Sequence, residues 1–205
     1  MTRQTRAIFL DAGDVRPISL ACHPATPATA VECIEARAWR RPDGVLALTF
    51  SLTGDLGSVR ISDARSPRMT DRLWEHTCLE VFVAAEGAEA YHEFNLSPSG
   101  EWMAHAFRRY RDGGPLTDDG LNPQIATRQH DRLFELTATL RLNRLCAEYE
   151  RRMLHVGLSA VIEDAHGSLS YWALRHPAGR PDFHHPDAFA LRLDAPHMDG
   201  DEDPR

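Results

Sequence analysis

Apolar residues recur at every second position in one segment after another of this chain. Leu46, Leu48, Phe50 and Leu52 form one such set, and Leu79, Val81 and Val83 form another. Phe134, Leu136, Ala138 and Leu140 follow, then Leu154, Val156, Leu158, Ala160 and Ile162. A repeat of two places each set on one face of a β-strand, and an apolar face of that kind needs a core to lie against. Turn-forming groups separate the segments: Pro42-Asp43-Gly44, Ser97-Pro98-Ser99-Gly100, Asp112-Gly113-Gly114-Pro115 and Asp164-Ala165-His166-Gly167. Many short strands at this spacing predict an all-β fold, an antiparallel β-sandwich of jelly-roll or immunoglobulin-like type. One short helix is expected, over Asn143 to Arg151, as a cover or crossover.

A chain of 205 residues is long for one ordinary domain and short for two. Residues 1–196 therefore read as a single domain. The acidic, apolar-poor "HMDGDEDPR" from His197 reads as a frayed tail. The net charge is −7 and all 23 basic residues are Arg, with no basic run, so no nucleic-acid partner is expected. Cys22, Cys33, Cys78 and Cys146 form no C-x-x-C pair and are too sparse for a disulfide scaffold. The segment "AIFL", Ala7 to Leu10, ends at Asp11 and is too short for a signal-peptide apolar region. Nothing approaches the roughly 20 apolar residues of a membrane span. These features predict a cytoplasmic protein with reduced thiols, no membrane partner and an undetermined oligomeric state.

The stretch "YHEFNLSPSGEWMAHAFRRY", Tyr91 to Tyr110, reads as a hairpin. With a four-residue turn at Ser97 to Gly100, Asn95 faces Trp102 and Glu93 faces Ala104. That register puts Tyr91, Glu93, Asn95, Trp102, Ala104, Ala106, Arg108 and Tyr110 on one face. His92, Phe94, Leu96, Met103, His105 and Phe107 take the other, which is the expected core face. Two alanines bordered by an acid, an amide, a guanidinium and rings would make a shallow site for a polar small molecule. Arg108 falls opposite Glu89, which would also suffice as an ion-pair partner.

"LWEHTCLEVFV", Leu73 to Val83, reads as a neighbouring strand with Trp74, His76, Cys78, Glu80 and Phe82 on one face. Glu80 inside an apolar run requires an Arg or a ligand hydroxyl, because burying an unpaired carboxylate costs several kcal/mol. Trp172 lies in "LSYWALRHP", where Tyr171 and Trp172 must face opposite sides. The loop "RHPAGRPDFHHPDAF" offers His176, His184 and His185 with Asp182 or Asp187, but in no recognised zinc spacing. No nucleophile elbow, Walker loop or dinucleotide fingerprint is present. Glu80, Glu93 and Glu101 are the carboxylates that could act as a glycosidase-like pair.

The run "LWEHTCLEVFV…YHEFNLSPSGEW" resembles the centre of a family 9 carbohydrate-binding module, within the broader DOMON-like sandwiches. The shared marks are a Trp, five intervening residues and a Glu in an apolar strand, then a Y-x-E-F-N strand, a turn and an Arg-bearing strand. The resemblance covers roughly Leu73 to Arg111, with a looser match through "SYWALRHP". It implies a sugar clamped between two indole rings, Trp74 and Trp172, with Glu80 and one of Arg108 or Arg109 on its hydroxyls. Together with the hairpin, this nominates Trp74, Glu80, Glu93, Asn95, Arg108 and Trp172 for non-catalytic binding of a saccharide. The competing classes are a carboxylate-dependent enzyme acting on a sugar or polyol, and a haem carrier using Met103 or His105. No cofactor is expected, with calcium at Asp118-Asp119 and haem as the alternatives.

Overall fold

The strands build in the order the alternation predicts. In the computed structural model, which describes residues 15–118 and 120–196, they are β1 (Ile18–Cys22), β2 (Val31–Arg40), β3 (Val45–Gly54), β4 (Cys78–Ala85), β5 (Tyr91–Leu96) and β6 (Trp102–Arg109). These are followed by β7 (Asp112–Pro115), β8 (Gln124–His130), β9 (Leu133–Arg141), β10 (Leu154–Glu163), β11 (Leu169–Ala173) and β12 (Leu191–Leu193). The apolar "AIFL" segment, Asp119 and the acidic tail from His197 lie outside the described residues.

The pairings between these strands are antiparallel, along the path β7-β6-β5-β4-β10-β11-β1-β2-β3-β9-β8, with β12 beside the first residues of β10. The path turns over at β1: Ile18 to Leu20 pair with β2, while Ala21 and Cys22 pair with β11. The two halves thereby face each other as a sandwich. Leu48, Phe50, Leu136 and Leu140 from one half meet Leu79, Val81, Phe94 and Leu158 from the other in a single core. Each such fully buried side chain contributes about 1.5–3 kcal/mol, which makes this interface the main source of stability.

Three local expectations are corrected. Of the helix expected over Asn143 to Arg151, Glu148–Arg151 alone is α-helical (α1), after a 3₁₀ turn at Leu142–Arg144. Tyr149 on α1 fastens it by donating from Oη to the Val83 carbonyl at 2.8 Å. Asp112–Pro115 is a strand rather than a turn. The chain reverses just before it, where Arg111 adopts φ 54°.

The Tyr91–Tyr110 hairpin has a five-residue loop, not four: Leu96 pairs with Trp102 and Glu93 with His105. Loop residues make the difference, since Glu101 curls into the turn, its carbonyl accepting from Ser97 N–H at 2.9 Å. Its carboxylate accepts from Ser99 Oγ, Arg68 Nε and Thr70 Oγ1. One added residue inverts every side chain of β6 relative to β5. Trp102, Ala104 and Ala106 therefore turn inward, and Met103, His105 and Phe107 turn outward with Tyr91, Glu93 and Asn95.

Candidate ligand-binding site

The outer face of β6-β5-β4-β10-β11 is covered at one end by the chain between β11 and β12. Phe183 and Phe189 from that segment pack on Phe82, Ala84, Tyr91, Val161 and Ala173, forming a second apolar cluster. Gly157 on β10 permits the close approach, since a Cβ there would stand 2.7 Å from Phe189 Cδ1. Where this cover ends, a cleft of about 400 Å³ opens over the sheet. Glu80 and Glu93 lie in it; Trp74, Phe107, Tyr171 and Phe183 supply rings; Arg111, His105 and His184 supply nitrogens.

Period two places the acids. Glu80 and Phe82 are successive outward residues of β4, and the register sets Glu80 beside Asn95 and Phe82 beside Glu93. Asn95, fully buried beneath the site, donates from Nδ2 to Glu93 Oε1 at 2.6 Å. Glu93 Oε2 lies 3.6 Å from His184 Nε2, and Glu93 Oε1 lies 3.9 Å from His105 Nδ1. Glu80, only 4% exposed, has no hydrogen bond or ion pair among the described residues. Arg111, which is held by Asp182 at 2.8 Å and packs its guanidinium on the Tyr110 ring, completes the rim.

Burial dominates the ionisation of these groups, because removing a charge from water favours the neutral form. Desolvation, reinforced by the neighbouring Glu93 charge and eased by Arg111, pushes the Glu80 carboxyl well up. Desolvation raises Glu93 to about 7, against the opposing pull of Asn95 and Arg111. His184, packed edge-on against Phe82 and Phe107, is lowered by burial to about 4 and is neutral at pH 7. His105 is likewise lowered by burial. The cleft thus offers two carboxyl groups that burial favours in the protonated form, neutral imidazoles and planar apolar walls.

Three of the six residues nominated from sequence meet in this cleft: Trp74, Glu80 and Glu93. Trp74, 38% exposed, stands on a 3₁₀ turn, Leu73–Glu75, rather than on a strand, with its ring 5.8 Å from that of His105. Asn95 supports Glu93 from below. Arg108 does not reach the site: a bulge after Phe107 turns it out, 83% exposed, to pair with Asp112 at 2.9 Å instead of Glu89. Arg109 also pairs with Asp112. Trp172 faces the core, 5% exposed, its Nε1 donating to Ser170 Oγ at 3.1 Å. The two indoles therefore lie on opposite faces of the sheet and make no clamp.

Tyr171, Phe107, His105, Arg111, Phe183 and His184 are among the lining residues that sequence reading missed. The loop histidines do not converge. His176 bonds the Ala21 carbonyl, His184 enters the cleft, and His185 caps the 3₁₀ turn at Pro186–Ala188. Among the described residues no group of three or more His, Cys, Asp or Glu could hold a metal. Asp118 carries an Arg144 contact at 3.7 Å and accepts from Gly120 N–H. Glu101, serving the hairpin loop, is no partner for Glu80 or Glu93.

Fold and site together define an antiparallel β-sandwich with a polar, ring-lined cleft on the outer face of one sheet. No family model and no curated protein sequence matches the chain. Solved structures do. A candidate carbohydrate-binding protein from Bacteroides uniformis superposes with a TM-score of 0.61 at 16% identity, over 88% of this chain and 85% of that one. A family 9 carbohydrate-binding module from Caldicellulosiruptor kristjanssonii, in complex with cellotriose, gives 0.56 at 10% identity over 95% and 92%. A structure of such a module from that organism with glucose gives 0.54 at 10% identity over 93% and 89%. At these identities the likeness establishes the family 9 module-like fold.

Proposed function

We propose that this chain binds a saccharide in the cleft, without chemistry, through Glu80, Glu93 and Trp74. The observation that carries the reading is Glu80: a buried carboxyl that lines an open cleft and has no described protein partner. Sugar hydroxyls supply the donors and acceptors that such a group lacks, and CH-rich pyranose faces pack on exposed rings such as Trp74. A volume near 400 Å³ suits a small saccharide. The adjoining groove shares Arg111, Tyr171 and Pro181 with the cleft and extends past Tyr110 and Arg180, giving room for further units. The structural relatives solved with cellotriose and glucose support this choice of ligand class. The same reading groups the chain with the wider DOMON-like sandwiches, on the Trp74-to-Glu80 spacing and the Y-x-E-F-N strand.

Calorimetric titration with glucose, cellotriose and a panel of neutral and amino sugars tests it. Binding that weakens on Trp74→Ala or Glu93→Gln supports the reading, and no heat at millimolar ligand removes it. One observation favours a second reading, an enzyme acting on a sugar: Glu93, poised at about 7, could give or take a proton at neutral pH. Glu93→Gln separates the two. A binder loses affinity, whereas an enzyme keeps binding and loses turnover.

A further inference from the structure

The formal charges facing the cleft do not balance. Glu80 comes from β4, Glu93 from β5 and His105 from β6, with Tyr91 of β5 behind His184. Arg111 follows β6, Tyr171 comes from β11 and His184 from the covering segment, whose Asp182 stands behind Arg111 in the adjoining groove. Cys78, Asp71 and Ser159 stand close behind, while β10 contributes Val161, which does not titrate, to the lining. Arg111 is the fixed cation of this set, and Asp182 already engages it at 2.8 Å. Both imidazoles that face Glu93 are held neutral by burial. Two acids therefore remain against no uncommitted cation.

Independent of the charge count, hydrogen-bonding capacity is left unused at the same place. Glu80 has no described partner. Ser159 Oγ, beneath the lining and directly across from Glu80 in the β4–β10 register, is buried with no hydrogen-bond partner, and His105 Nδ1 likewise has none. Groups like these are normally satisfied in a folded protein, so the cleft is built for a polar guest. Around them Trp74, Phe107 and Tyr171 present ring surfaces, which attract cations as well as CH groups.

We infer that the guest is a saccharide carrying a protonated amine, an amino sugar whose ammonium group sits against Glu80 and Glu93. This rests on the saccharide reading above and narrows it. An ammonium brings three donors and one positive charge, which is what the two acids lack. It also makes binding proton-linked. Buried carboxyls that hold a proton at neutral pH surrender it when a cation arrives, so an amino sugar releases protons on binding and a neutral sugar does not.

The experiment titrates the full chain at neutral pH with glucosamine, N-acetylglucosamine and glucose, each in two buffers of different ionisation enthalpy. Glucosamine should bind tighter than either neutral sugar by roughly tenfold, a modest return for a charge-assisted contact in a buried site. Its heat should depend on the buffer in the sense of proton release. Glu80→Gln, shown to be folded by its melting curve, should abolish both the preference and the release. Glucose binding as tightly as glucosamine overturns the inference and leaves the saccharide reading standing. A glucosamine preference that survives Glu80→Gln, or comes without proton release, also overturns it. Absence of binding by all three sugars removes both.

Discussion

Tyr91 Oη lies 2.8 Å from His184 Nδ1 and simultaneously accepts from the Arg111 backbone N–H at 3.1 Å. A phenol has one proton, so the arrangement that satisfies all three groups has Tyr91 donating to Nδ1. His184 then carries its proton on Nε2, facing Glu93 Oε2 at 3.6 Å. Two hydrogen bonds thus run from the β6–β7 turn through Tyr91 to His184, whose Nε2 is left in contact with the acid in the cleft. Each member fixes the orientation of the next.

Tyr91→Phe tests that line. It keeps the ring that stacks on Phe107 with centroids 4.7 Å apart, but strands the Arg111 N–H and frees His184 to rotate. The expected cost in stability is about 1–2 kcal/mol by thermal or urea unfolding, typical of one lost buried hydrogen bond. Saccharide affinity should fall several-fold in the same variant. Unchanged affinity would show that the orientation of His184 does not matter to the cleft.

The acids make stability depend on pH in a direction that can be worked out. Glu93 titrates at about 7 in the folded chain against an ordinary 4.5, so the folded state holds its proton more tightly. Its contribution is full below 4.5 and is lost as pH rises through about 7. His184, at about 4 against an ordinary 6.5, acts oppositely: its contribution is present above 6.5 and lost as pH falls through about 4. The two offset each other between about 4.5 and 6.5, and only the acid's loss continues above. Glu93→Gln removes that loss. Urea unfolding of both proteins at about pH 5.5 and 8 should show the variant gaining about 2 kcal/mol relative to wild type over that interval. A constant difference would mean that Glu93 titrates normally.

The two tryptophans nominated as a pair should behave as opposites. Trp172 fills the core, and Trp172→Ala should cost about 3–5 kcal/mol through the cavity left behind. Trp74 is partly exposed on a short turn, so Trp74→Ala should move stability by about 0.5 kcal/mol or less. Its saccharide affinity should nevertheless fall roughly tenfold, the loss expected for one stacking ring. Melting curves beside calorimetric titrations decide the matter. A large stability loss at Trp74 would make it a structural residue.

What the sequence disclosed, and what it hid, follows from how far each signal reaches. Alternation is local, so the sandwich and the outward facing of Glu80 on β4 could be read directly. The face of β6 could not, because it depends on whether Glu101 belongs to the loop or the strand. That is decided by contacts to Arg68 and Thr70, more than thirty residues away. Trp172 and Tyr171 were known to face opposite ways, but which one entered the core depended on pairing with β1 and β10. Arg111 and His184 sit in turns, where no period exists to aim a side chain. The histidines of "PDFHHPDAF" drew attention as candidate metal ligands, whereas the segment is a cap over the cleft, set by Phe183 and Phe189 packing on the sheet.

That cap gives the last prediction. The covering segment reaches the sheet because Gly157 leaves room for the Phe189 ring, and Phe189 in turn packs with Phe82 and Tyr91. In Gly157→Ala the added methyl would sit 2.7 Å from Phe189 Cδ1 and 3.3 Å from Phe82 Cβ, so the ring must withdraw. Overpacking of this kind costs about 1–3 kcal/mol. The loss should not stay local, since His184 and Phe183 belong to the same segment and line the cleft. Unfolding should therefore shift by that amount, and saccharide affinity should fall with it. Proteolysis at Arg180, within this segment, should become faster than in wild type. A variant destabilised to that extent but binding sugar with unaltered affinity would show that cleft and cap are energetically independent. The walls contributed by Phe183 and His184 would then have no part in recognition.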